Sequence, residues 1–107
     1  MTILAERECI PCKGDTPTLT GEQIAKFQPQ VPEWSIENTH NLKRRFLFQD
    51  FRDALVFVNK AGELAEQQGH HPDICFGWGY AEFKVWTHAI DGLSESDFIL
   101  AAKIDRL

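Results

Sequence analysis

Tyr80-Ala81-Glu82-Phe83-Lys84-Val85-Trp86-Thr87-His88 is the stretch from which the rest of the chain is read. Ala81, Phe83, Val85 and Thr87 fall on one side of an extended chain, and Tyr80, Glu82, Lys84, Trp86 and His88 on the other. That is the period of a strand with one covered face. Just upstream, Ile74-Cys75-Phe76 reads as a short strand, with Gly77-Trp78-Gly79 as the turn joining the two.

Further upstream, Phe51, Ala54, Leu55, Val58, Ala61, Leu64 and Ala65 recur on one broad face of a helix. Asp50 is its N-cap, Asp53 stands at the third helical position, and Gly69 is a natural C-cap. A second hairpin precedes it. Trp34 to Glu37 alternates apolar and polar, Asn38 to Asn41 is turn-like, and a strand follows. On that strand Arg44, Phe46 and Phe48 share one face, and Arg45, Leu47 and Gln49 the other. Thr20 and Gln23 form a capping-box pattern for a first helix that buries Ile24 and Phe27 and ends at Pro29 and Pro32. Ser94 and Asp97 repeat the pattern for a last helix through Ile99, Leu100 and Ile104.

The order α-β-β-α-β-β-α predicts an α+β fold, an antiparallel sheet with helices on one face. No Gly-rich loop joins a strand to a helix, so a dinucleotide-binding fold is not expected. Residues 1–18, punctuated by Pro11, Gly14 and Pro17, read as an irregular N-terminal arm, and 19–107 as the domain proper.

A length of 107 residues fits one domain. A domain this small buries a limited share of its surface, so self-association is expected to help it. The net charge of -5 and the isolated basic run Lys43-Arg44-Arg45 argue against direct nucleic-acid binding. No apolar run approaches the roughly 20 residues a membrane span needs. Met1 to Ile10 lacks the features of a secretory signal, and the three cysteines give no disulfide framework. A cytoplasmic location follows as the simplest expectation.

His70 and His71 follow the central helix, and His88 ends the best strand. The chain order can bring these ends together, and a histidine with an unperturbed pKa of about 6.5 suits proton transfer near neutrality. His40, in the Asn38–Asn41 turn, is expected to stand apart. Cys9 and Cys12 form a C-x-x-C pair that could with histidines make a zinc site. With no second C-x-x-C and no H-x-x-x-H, no metal is expected.

Glu66-Gln67-Gln68-Gly69-His70-His71-Pro72-Asp73, then Thr87-His88, then Gly92-Leu93-Ser94 with Asp97, resembles the signature of the pterin-4a-carbinolamine dehydratase family. Leu19-Thr20, Val31-Pro32-Glu33-Trp34 and Phe46 to Phe51 extend the resemblance over roughly the whole of 19–105. It implies a four-stranded antiparallel sheet with three helices on one side, in homodimers or homotetramers. It also implies loss of water from a 4a-hydroxytetrahydropterin to give a quinonoid dihydropterin, with no cofactor, in recycling of tetrahydrobiopterin. His70, His71 and His88 are then the catalytic residues, supported by Glu66, Pro72 and Asp97. Trp86 shares the strand face of His88 and is expected to shape the pocket or an oligomer contact. The resemblance implies a second reading, a non-enzymatic dimerisation cofactor or assembly factor on the same fold.

Overall fold

In the computed structural model, which describes residues 3–11 and 14–107, each sequence cap becomes a helix end. Thr20 and Gln23 exchange hydrogen bonds at the start of α1 (Gly21–Phe27). The Asp50 carboxylate accepts from Asp53 N at 2.9 Å to start α2 (Phe51–Gln68), and Gly69, at φ 62°, ends it in the left-handed region that glycine enters without strain. Ser94 and Asp97 cap α3 (Glu95–Ile104) reciprocally. The strands are β1 (Ser35–Glu37), β2 (Asn41–Leu47), β3 (Asp73–Gly77) and β4 (Tyr80–Val85). Among the described residues they form one antiparallel sheet of order β1-β2-β4-β3. This is the expected α+β architecture in the expected order.

The register sets Leu42 beside Val85, Arg44 beside Phe83 and Phe46 beside Ala81, so one sheet face carries the apolar row. From α2, Phe57 meets Phe46 at 4.7 Å and the edge of Phe83 at 5.9 Å, ring centre to ring centre. From α3, Phe98, Ile99, Leu100, Ala101 and Ile104 are buried, and Phe27 of α1 lies against Phe98 at 5.5 Å. Fully burying a side chain of this size is worth about 1.5–3 kcal/mol, so this row and α3 dominate the core. The opposite sheet face carries Glu37, Lys43, Arg45, Glu82 and Lys84 in ion pairs of 3.6–3.9 Å. At this exposure such pairs add little stability; they keep the face wet.

Three local expectations change. The strand read as Tyr80 to His88 stops at Val85, because β3 begins opposite Lys84 and offers no partner beyond it. Thr87 instead bridges to Gly92, and His88 opens a 3-10 turn, His88–Ile90. β2 ends at Leu47, so Phe48 lies past the strand, where its N–H donates to Gly79 O at 2.8 Å. The arm also packs on the body. Leu4 is 1% exposed within the core, its N–H donates to Gln30 Oε1 at 2.8 Å, and Lys103 Nζ donates to Ala5 O at 3.0 Å. Of the C-x-x-C pair, Cys12 lies outside the described residues. No helix among the described residues is long and apolar enough to cross a membrane.

Candidate active site

The end of α2 builds one side of the site. Its last turn closes through Gly69 N to Glu66 O and His70 N to Ala65 O, both at 3.2 Å. This closure turns the chain out of the helix at His70 and His71. The loop after β4 builds the other side, where Thr87 N donates to Gly92 O at 2.9 Å and closes the turn carrying His88. Between them lies a cavity of about 240 Å³ lined by His70, His71 and His88, with Trp86, Thr87 and Pro11 among its other walls. The three histidines singled out from the sequence therefore meet in one place.

Two of the three rings are held by carboxylates. His70 Nε2 lies 2.5 Å from Asp97 Oδ1, and His71 Nε2 lies 2.6 Å from Glu66 Oε1. The sequence placed Glu66 one turn before His70; its partner is His71. When Nε2–H donates to a carboxylate, the neutral ring presents Nδ1 with its lone pair free. A carboxylate behind a histidine thus fixes both the tautomer and the ring orientation. The settings differ: Asp97 is fully buried, whereas the Glu66 side chain is 79% exposed.

Asp97 binds more than His70. Its Oδ2 accepts from Ser94 N at 2.8 Å, the helix cap, and from Thr87 Oγ1 at 2.9 Å. Thr87 and Ser94 also join through their hydroxyls at 2.7 Å. One buried carboxylate thus ties the start of α3, the turn carrying His88 and the ring of His70.

His88 is exposed, and its ring lies 4.3 Å from that of Trp86. His40 does not stand apart. Its ring lies 5.4 Å from that of Trp86, with Nδ1 3.1 Å from Asn41 Oδ1 and Nε2 2.8 Å from Asp91 Oδ1. The bond to Asn41, then that to Asp91, raises the pKa of His40 above the ordinary histidine value. Pro72 is half-buried between His71 and β3 and is not among the residues lining the cavity.

Sequence reasoning gave no site role to Thr87, which it placed only in the strand and the signature, and none to Pro11. Thr87 carried a signal: a hydroxyl on the inward row of Ala81, Phe83 and Val85 needs a buried partner. Pro11 carried none, since nothing in a Pro/Gly-punctuated segment says where it packs. Among the described residues, no three His, Cys, Asp or Glu side chains converge as a metal set. Burial pushes the Cys9 thiol up to about 11, so near neutrality it is a protonated donor rather than a thiolate.

Comparison with known proteins bears on this geometry. The profile of the family described as Pterin 4 alpha carbinolamine dehydratase matches residues 17–107. A relative from Rubrobacter xylanophilus, named for pterin-4-alpha-carbinolamine dehydratase, is 60% identical over 107 residues, the full length of both chains. Another of that name from Alkaliphilus metalliredigens is 48% identical over 99% of this chain and 96% of its own. A crystal structure from Brucella melitensis, titled a transcriptional coactivator/pterin dehydratase, superposes with a TM-score of 0.78 at 25% identity, covering 84% of this chain and 97% of that one.

Proposed function

Because the chain belongs to the pterin-4-alpha-carbinolamine dehydratase family, we propose that it is a hydro-lyase that removes water from 4a-hydroxytetrahydropterin to give a quinonoid dihydropterin. The observation that carries this reading is the convergence of His70, His71 and His88 on one cavity, two of them oriented by carboxylates.

The reaction needs a proton delivered to the leaving oxygen on C4a and a proton taken from N5. The N5–H electrons then form the C4a=N5 double bond as the C4a–O bond breaks and water departs. Both are transfers that placed histidines perform. His71 acts as the base at N5, its Nδ1 lone pair exposed while Nε2–H is held by Glu66. His70 and His88 act as acids toward the hydroxyl, His70 as an imidazolium that offers Nδ1–H while Nε2–H stays on Asp97. Asp97 holds His70, Pro72 fixes the chain after His71, and Trp86 forms the wall beside His88. The steps route through no cofactor or metal.

The reaction suits recycling of a tetrahydrobiopterin-type cofactor in the cytoplasm. Residues 19–107 form the catalytic domain, preceded by the 1–18 arm. We also assign the protein to a homodimer or homotetramer, supported by the exposed Leu47, Phe51, Leu55 and Trp78. The Brucella structure's title pairs dehydratase with coactivator. A non-enzymatic dimerisation or assembly role is accordingly the second reading, one that would use the outer surface and leave the cavity free for catalysis.

The test is a direct dehydration assay with freshly generated 4a-hydroxytetrahydropterin. The purified chain is expected to accelerate loss of the 4a-hydroxyl well above the buffer rate. A rate equal to the buffer rate would leave only the non-enzymatic reading.

A further inference from the structure

Most of the N-terminal segment lies outside the stretch matched by the family profile, which begins at residue 17. The segment nevertheless touches the end of α2, the start of α3 and the loop that carries His88. Cys9 N donates to Gln68 Oε1 at 2.9 Å, two residues before His70. Ser96, next to Asp97, accepts from Ile10 N and donates to Ile10 O through the same hydroxyl, both at 3.0 Å. The Cys9 thiol donates to Ser96 O at 3.5 Å. Gly14 lies against Ala89, on the loop that carries His88.

The pairing at Ser96 fixes a register. Its buried hydroxyl is satisfied by both backbone groups of Ile10, so a slip of the arm by one residue would break both bonds at once. Pro11 comes next, and it lines the histidine cavity. Proline has a fixed φ and little conformational freedom to lose, so it makes a rigid apolar wall beside polar neighbours.

We propose that Pro11 is a ligand-binding residue of this site and that the Ser96–Ile10 pairing is the device that positions it. The identity of the ligand, a flat bicyclic pterin, rests on the function proposed above. The arm thereby closes one side of the cavity and limits how the pterin lies against the histidines. Pro11 moves no proton, so its contribution falls on binding rather than on the chemical step.

The experiment is done on the full-length protein with Pro11→Trp and Ser96→Ala. It reads KM and kcat for dehydration and, separately, the Kd for 7,8-dihydrobiopterin as a non-reacting probe. Circular dichroism checks the fold. Pro11→Trp fills the cavity from an exposed position and is expected to raise KM and Kd about tenfold while kcat stays within about threefold, the pattern of lost uniform binding. Ser96→Ala frees the register and is expected to raise both by about fivefold. Wild-type KM and Kd in Pro11→Trp would overturn the wall; wild-type values in Ser96→Ala would overturn the positioning. If the parent turns over and Pro11→Trp matches it, this proposal alone fails. If the parent binds the probe without turnover, the dehydratase reading fails while the Kd values still decide the wall. A parent that neither binds nor reacts overturns both.

Discussion

Asp97 shows how one side chain is committed twice. Its two oxygens bind His70, Thr87 and Ser94 N with no exposure to water. The sequence made it a capping residue first and a pocket residue second; the geometry gives it both roles through different oxygens. Asp97→Asn keeps the shape and one acceptor oxygen but loses the charge that faces His70. It is expected to destabilise the fold by on the order of 1 kcal/mol, the size of a lost cap, and to lower turnover about 10²-fold. A melt and a turnover assay on the same sample check this, and full activity in a destabilised variant would leave Asp97 a cap alone. His40 carries a pH prediction. Both its ring nitrogens face acceptors, Asn41 Oδ1 and Asp91 Oδ1, with Trp86 against the ring. A neutral ring can donate from only one nitrogen, so the charged form is preferred and the folded-state pKa is raised. The sign follows: the stabilisation from His40 is fully present below the unfolded pKa of about 6.5 and is lost as pH rises through the higher folded value. The melting-temperature gap between the parent and His40→Gln should therefore be widest at mildly acidic pH and shrink above neutrality. A gap independent of pH would contradict it. The sequence showed that three histidines belonged together; it did not show the fourth, because the contact to Trp86 depends on how two separate turns face each other.

At the scale of elements, the helix ends were the most legible features. Caps are local chemistry, and Thr20, Asp50, Gly69 and Ser94 each mark a boundary that the structure keeps. The end of β4 was not legible, since the alternation continues to His88 while the partner strand does not. Where a strand stops is decided by its neighbour, and the neighbour's start is not written in the strand itself. The arm was opaque for a related reason: Leu4 is buried in a core of residues far along the chain, and Gln30 bonds its N–H while Lys103 bonds the carbonyl of the neighbouring Ala5. Gly69 offers a test that isolates one helix end. A Cβ added there would meet no neighbouring atom, but φ is 62°. Gly69→Ala should therefore cost about 1 kcal/mol from backbone conformation alone. Because His70 follows directly, turnover should fall further than the melting point suggests. A variant as stable as the parent in urea would show that the helix end relaxes out of the left-handed region.

For the whole molecule, the two sheet faces divide the work. One is covered by helices; the other is a lattice of ion pairs, and the histidine cavity sits between the end of α2 and the loop after β4. Leu47 at 79% and Trp78 at 72% exposure stand out on a chain this small. Light scattering is accordingly expected to give a mass of two or four chains at micromolar concentration, and a stable monomer would contradict the oligomer. The sequence carried the fold class through periodicity and caps, and the ordered motif from Glu66 to Asp97 named the candidate residues that the fold brings together. It could not carry the arm's place at the cavity, because that place is a tertiary contact with no local signature. The central claim is that His70, His71 and His88 act as one acid–base site. The most direct measurement is the dehydration rate of the three single alanine variants and the triple variant, compared with the parent. Singles are expected to lose about 10² to 10⁴-fold each, with His71→Ala the worst. Groups acting as a unit are not additive, so the triple should lose far less than the product of the three. A triple variant at the parent's rate, or losses that multiply as if the three acted independently, would contradict the account.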